Sequence, residues 1–324
     1  SGKTRVVTHR IAYMLLKGIP DHSILALTFT NKAADEMRQR LDTLCPGARV
    51  WIGTFHRFCA QQLRRYASLV GLRENYSILD VEASIKVLRE AIQEAGQKLV
   101  HTSPQSIAAA ISWAKNDLIA AHQYQPAPDD TLGPLVARVY PHYQRLLLNA
   151  NSADFDDLLL HLATLLRDNP DLRRTLDQRF RYIMVDEYQD TNLAQYAIAR
   201  SLSVDYPNLS VTGDPDQSIY GWRGATVRNI LDFERDYPRV HTVRLEENFR
   251  STQAILKAAD QLIANNQDRK EKRLQAQNSA GQPVRIAVYP DARMEADAVA
   301  ARIANEVSGQ QRRFRDYAVF YRTN

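Results

Sequence analysis

The stretch Arg181-Tyr-Ile-Met-Val-Asp-Glu-Tyr-Gln-Asp190 places a short apolar run directly before two adjacent carboxylates. Ile183, Met184 and Val185 have polar neighbours on both sides and none between them, which predicts a strand buried on both faces of a parallel sheet. Asp186 and Glu187 then emerge at the carboxyl end of that strand. Open α/β sheets bind ligands there, in a crevice lined by loops and helix N-termini. One carboxylate can hold a hydrated Mg²⁺, and its neighbour can take a proton from a water attacking a phosphate. The same pair also reads as a strand end entering a solvated turn. What favours the phosphate chemistry is the other end of the sequence, Ser1-Gly2-Lys3-Thr4.

Gly2, Lys3 and Thr4 match the last three positions of the phosphate-loop pattern G-x-x-x-x-G-K-[ST]. The required context follows, because Val7, Ile11, Met14 and Leu15 share one face of a predicted helix. Strands are expected at Ile24–Phe29 and Arg49–Gly53, each followed by a helix, Asn31–Leu41 and Phe55–Tyr66. This alternation predicts a parallel sheet covered by helices. The turns after both strands, Thr28–Asn31 and Gly53–His56, carry small polar, amide and aromatic groups. Such groups suit sugar-phosphate contacts and base stacking, and Thr30, Asn31 or Thr54 equally suit helix N-caps.

Between Val81 and Ala150 the pattern changes to helical spacing, over Val81–Ala95, Ile107–Leu118 and Leu132–Leu148, with no strand expected between. This predicts an inserted helical subdomain, in which Trp113 and Lys115 read first as part of a solvated helix face and second as nucleic-acid contacts. The alternation resumes at Asp154, through a helix over Thr191–Leu202 and a strand over Leu209–Thr212. That strand runs into Gly213-Asp-Pro-Asp-Gln-Ser-Ile-Tyr-Gly-Trp-Arg-Gly224. Turn-making explains its glycines and proline but not Tyr220, Trp222 and Arg223. Further strands are expected at His241–Leu245, Val284–Tyr289 and Tyr317–Tyr321, with a helix near Glu295–Val307. The charge run Arg269–Arg273 reads first as a solvated loop and second as a DNA contact.

A length of 324 residues leads us to expect about two domains, and 44% hydrophobic with 24% charged residues is a soluble globular composition. No run approaches the roughly 18 apolar residues of a membrane span, and no signal-peptide pattern is present, so cytoplasm is the expected location. Cys45 and Cys59 match no zinc spacing and read as free thiols. The net charge of +5 permits a polyanionic partner without requiring one.

Taken in order, six stretches make the chain resemble the UvrD/Rep/PcrA family of superfamily-one DNA helicases. They are Gly2-Lys-Thr-Arg5, Thr28-Phe-Thr-Asn-Lys-Ala-Ala34, Gly53-Thr-Phe-His56, Val185-Asp-Glu-Tyr-Gln-Asp-Thr-Asn192, Gly213 to Ala225, and Asn248-Phe-Arg-Ser-Thr252. The resemblance implies an α/β fold: a RecA-like P-loop parallel sheet flanked by helices, an inserted all-helical subdomain, and the beginning of a second RecA-like domain. The expected division is 1–72 with 152–240, then 73–151, then 241–324.

It also implies ATP and Mg²⁺ as cofactors. Ser1, Gly2 and Lys3 would cradle the phosphates, and Thr4 with Asp186 would hold the metal. Glu187 would be the general base, Gln217 the γ-phosphate sensor and Arg250 the arginine finger. Phe249 and Arg5 would sandwich the adenine. Phe29, Tyr220 and Trp222 would stack on single-stranded bases, with Thr30, Asn31, Thr54, His56 and Arg223 holding phosphates or buttressing the stack. The implied partners are single-stranded DNA and single/double-strand junctions, with repair or replication proteins beside them, and the oligomeric state stays open. So does a role as the helicase subunit of a recombination nuclease, or as a DNA-binding piece without ATPase. The implied polarity is 3′ to 5′. Against the family pattern the chain lacks the first phosphate-loop glycines, an upstream adenine-reading glutamine, a strand expected centrally in the first sheet, and the later motifs. The expectation is therefore a fragment with little ATPase or unwinding of its own.

Overall fold

A computed structural model of the chain describes residues 2–266, 269–270 and 272–321, without the side chain of Arg223. Ser1, offered above as a phosphate contact, lies outside the described residues, as does Glu271 of the charge run. The backbone divides into two units, 1–247 with 263–273, and 248–262 with 274–324.

In the first unit the elements run α1 (Lys3–Leu16), β1 (Ile24–Thr28), α2 (Asn31–Leu44), β2 (Trp51–Thr54), α3 (Phe55–Arg65), β3 (Ser77–Ile78), α4 (Val81–Glu94), α5 (Pro104–Asn116) and α6 (Gly133–Asn149). They continue with β4 (Ser152–Ala153), α7 (Phe155–Asp168), α8 (Pro170–Arg179), β5 (Tyr182–Val185), α9 (Leu193–Ser201), β6 (Leu209–Val211), α10 (Arg228–Leu231) and α11 (Phe233–Asp236).

Four strands form one parallel sheet in the order β2-β1-β5-β6, with Ala26 level with both Ile52 and Met184. The pleat sends successive residues to opposite faces. Ile24, Ala26 and Met184 therefore meet Val7 and Ile11 of α1 and Met37 and Leu41 of α2 on one side. Leu25, Leu27, Ile183 and Val185 meet Phe58, Leu162 and Ile198 on the other. Both faces of β1 and β5 are covered, which is why these strands are written as unbroken apolar runs. β1 pairs directly with β5 and β5 with β6, so the described sheet has no gap at its centre for a further strand, contrary to expectation.

α4, α5 and α6 enclose a core of their own, built on Leu88, Ile107, Ile111, Val139 and Leu147. Lys115 is not on a solvated face. It is fully buried, 2.7 Å from both Asp154 and Asp157 and beside the rings of Tyr140 and Tyr143. Burial opposes its charge, but the two carboxylates outweigh that and raise its pKa well above the ordinary lysine range. Trp113, two residues earlier, is exposed.

The second unit contains α12 (Gln253–Ile263), which starts within it, α13 (Ala292–Ser308), and the two-residue strands β7 (Glu247–Asn248) and β8 (Gln275–Ala276), which pair at its edge. The strands expected at 241–245, 284–289 and 317–321 are not formed. β propensity describes a side chain that fits a pleated, half-buried surface, and a strand exists only once another strand offers a ladder. Ile286 and Phe320 are 92% and 93% exposed, so neither ladder nor cover reaches them.

Candidate nucleotide and nucleic-acid site

Gly2 takes φ +106°, a conformation that an L side chain rarely adopts, and its carbonyl accepts the Val6 N–H to start α1. Lys3 and Thr4 thus occupy the first turn of a helix, where the dipole and free N–H groups favour anions. Thr4 Oγ1 donates to Asp186 Oδ2 at 2.9 Å, and Thr212 Oγ1, beyond β6, donates to Asp186 Oδ1 at 2.6 Å. Lys3 Nζ lies 2.8 Å from Glu187 Oε2. Arg5 is exposed one position further on.

Glu187 sits at φ +53°, ψ +47°, a left-handed conformation that costs a non-glycine residue about 1 to 3 kcal/mol. Gln189 holds that turn in place. Its amide donates to Glu187 Oε2 at 3.0 Å and to Asp190 Oδ2 at 3.2 Å, while its Oε1 accepts the Asp214 N–H at 2.9 Å. A Cβ at Gly213 would come within 2.7 Å of that Oε1 and 2.5 Å of Ile230, so only glycine leaves Gln189 undisturbed. Burial first, and the neighbouring Glu187 charge second, raise the Asp190 pKa to about 6.

Gln217 Nε2 donates to Asp214 Oδ2 at 2.6 Å, and the other Asp214 oxygen pairs with Lys272. Burial works against the Asp214 charge, but Lys272 and Gln217 outweigh it and hold the pKa below the ordinary carboxylate range. Lys272 also lies 3.0 Å from Asp216, which Arg269 approaches at 3.3 Å. Of the described residues of the charge run, Arg269 and Lys272 are thus not solvated, whereas Arg273 is exposed. Arg269 and Lys272 have side chains only 20% and 21% exposed and clamp the loop that bears Gln217.

Three residues beyond Gln217 begins a row of rings. Phe29 and Tyr220 have centroids 4.9 Å apart, and Tyr220 and Trp222 6.4 Å, with Trp222 66% exposed. Thr30 and Thr54 cap α2 and α3 by accepting the Ala33 and Arg57 N–H groups, and exposed Asn31 follows Thr30. His56 packs edge-on to Phe155, and burial lowers its pKa to about 4, so it is neutral at pH 7. The Arg223 backbone follows Trp222 in a short 3₁₀ turn. In the second unit Asn248 Oδ1 accepts the N–H groups of Arg250 and Ser251, both at 2.9 Å, so Phe249 and Arg250 are carried on a side-chain-closed turn.

The profile of the UvrD/REP helicase N-terminal domain matches residues 1–238, and that of the UvrD-like helicase C-terminal domain matches residues 243–324. The chain belongs to the UvrD/Rep helicase family. Among proteins similar to it is the ATP-dependent DNA helicase PcrA of Bacillus subtilis (strain 168), 43% identical over 329 residues. The proteins of that name from Leuconostoc citreum and Staphylococcus aureus (strain Mu50 / ATCC 700699) are each 42% identical. All of this chain is matched, against 44% to 45% of each relative, so it spans under half their length.

Within this family member, sequence reasoning missed Gln189, Thr212, Asp214 and Lys272. Gln189 and Asp214 stood inside quoted stretches, but a glutamine beside a carboxylate pair announces no role until its three partners are seen. Thr212 had only its place at a strand's carboxyl end to mark it. Among the described residues no three His, Cys, Asp or Glu side chains converge on a metal position, and no helix is long and apolar enough to cross a membrane.

Proposed function

We propose that this chain is the nucleotide-binding and strand-gripping part of an ATP-driven DNA helicase that moves 3′ to 5′ along single-stranded DNA. The observation that carries the reading is the Thr4–Asp186 hydrogen bond of 2.9 Å beside the Lys3–Glu187 pair. A hydroxyl and a carboxylate that already touch fit a Mg²⁺ ion, which takes one or two protein oxygens and draws its other ligands from water and nucleotide phosphates. Such an ion would neutralise charge on the phosphates. Lys3 would exchange Glu187 for the β- and γ-phosphates, and Glu187, so released, would accept the proton of the attacking water.

Gln217 would report the γ-phosphate to the ring row three residues away, and Arg250 would act as the arginine finger. Phe249 and Arg5 would hold the adenine. In this reading 1–72 with 152–240 form the first motor domain, 73–151 an insertion, and 241–324 belong to the second. Phe29, Tyr220 and Trp222 would stack on bases without regard to identity. Thr30, Asn31, Thr54, His56 and Arg223 would hold the backbone, His56 by hydrogen bonding, since it is uncharged at pH 7. The substrates would be single strands and their junctions with duplex, in repair or replication.

The test is unwinding by the chain extended at both ends with the flanking segments of the Bacillus subtilis relative, offered duplexes with a 3′ or a 5′ tail. ATP-dependent unwinding of the 3′-tailed substrate alone is expected. Preference for the 5′ tail would overturn the polarity, and unwinding without ATP would overturn the motor.

A further inference from the structure

At the carboxyl end of α5 two neighbouring side chains, both buried, turn to different partners. Lys115 enters the cluster of Asp154, Asp157 and Tyr143. Asn116 faces the sheet-bearing part of the unit. Its Oδ1 accepts Asn192 Nδ2 at 2.5 Å, while its Nδ2 donates to Ser112 O at 2.8 Å and to Asp156 Oδ1 at 3.1 Å. Asn192 is five residues past Glu187 and caps α9 by accepting the Gln195 N–H.

The loop bearing Trp222 closes on the same two asparagines. Gly224, at φ +80°, would carry a Cβ 3.4 Å from Asn116 Cβ and 3.9 Å from Asn192 Cβ. Just beyond it, the Thr226 N–H donates to Thr191 O at 3.0 Å, and Asn229 Nδ2 donates to both oxygens of Thr191 at 3.0 Å. One buried polar knot therefore joins α5, the start of α7, the segment following the two carboxylates, and the end of the ring-bearing loop. Buried amides are costly to leave unpaired, so these groups move together or not at all.

We propose that Asn116 and Asn192 form a joint that transmits the state of the Glu187–Asn192 segment to the Trp222 loop, Asn116 acting as a positioning residue. The proposal rests on the motor reading above. The hydrogen bonds described for Asn116 and Asn192 do not run to Lys3, Thr4, Asp186 or Glu187, so severing the joint leaves the nucleotide site in place and weakens its coupling to the loop, the Thr191 bonds to Thr226 and Asn229 remaining. Asn192→Ser keeps a helix cap, because serine caps nearly as well as asparagine, and removes only the donor to Asn116. Asn116→Ala removes the other half.

The experiment measures ATPase with and without an oligo-dT single strand, together with oligo-dT affinity and the thermal midpoint, for the extended chain, both variants and the double variant. We expect basal rate and strand affinity near the parent's, and stimulation by the strand reduced by about tenfold in each single variant. The double variant should lose no more than Asn116→Ala alone, since that change already cuts the bond to Asn192 together with those to Ser112 and Asp156. Stimulation kept by both variants, losses that multiply, or basal and stimulated rates falling by the same factor would overturn the joint. A parent that hydrolyses ATP but ignores the strand would instead overturn the motor reading beneath it.

Discussion

Lys3 Nζ and Glu187 Oε2 lie 2.8 Å apart, so the amine in the first turn of α1 and the second carboxylate after β5 form an ion pair in this structure. Neither Gly2-Lys3-Thr4 nor Asp186-Glu187 specifies that contact alone. α1 and β5 bring them together, with Glu187 held in a left-handed backbone conformation just past the strand end. Glu187→Gln should keep nucleotide binding while lowering the ATPase rate by roughly 10² to 10⁴, the usual contribution of a positioned base. Nucleotide affinity by fluorescence titration beside single-turnover hydrolysis checks this. Turnover surviving within a few-fold of the parent would move the base elsewhere.

Trp222→Ala should weaken binding of an oligo-dT strand by about 1 to 3 kcal/mol, with little change in the salt dependence, since a stacking surface is lost and no cation. Fluorescence anisotropy at several salt concentrations measures both. Unchanged affinity would remove Trp222 from the strand path.

Lys115→Met leaves Asp154 and Asp157 facing each other in a buried site without their cation. Breaking a buried pair in this way costs about 3 to 5 kcal/mol. Urea denaturation should show the midpoint falling by a corresponding amount, and a loss below about 1 kcal/mol would mean that water reaches the cluster.

The raised pKa of Asp190 fixes a sign. The folded chain holds the proton up to about pH 6, whereas the unfolded carboxyl releases it near its ordinary value of 3.8. Stability from this group is therefore fully present below the ordinary value, falls as pH rises through about 6, and stays lost above. Asp190→Asn, neutral at every pH, should stabilise the chain at pH 8 by up to about 3 kcal/mol, reduced by solvent screening, and remove this part of the pH dependence. Stability curves at pH 4 and pH 8 test it, and destabilisation at pH 8 would show that the charge is needed.

The strand ending at Val185, just before Asp186, was readable because a strand covered on both faces has to be apolar at consecutive positions. β1 was readable for the same reason, as were α4, α5 and α6 from their spacing. The apolar stretches at 284–289 and 317–321 carry equally good local signals and form no strand, because pairing is decided by a partner elsewhere. The same distance problem hid Lys272 and Arg269, whose charges end on Asp214 and Asp216 more than fifty residues upstream. Lys115 was misread because one charge at helical spacing looks solvated until its carboxylates are found on another helix.

The most direct measurement is ATP hydrolysis by the extended chain, with and without oligo-dT, beside its Lys3→Ala variant. Hydrolysis that a single strand accelerates and that the loss of Lys3 abolishes is expected. Hydrolysis indifferent to the strand, or surviving without Lys3, would contradict the motor reading.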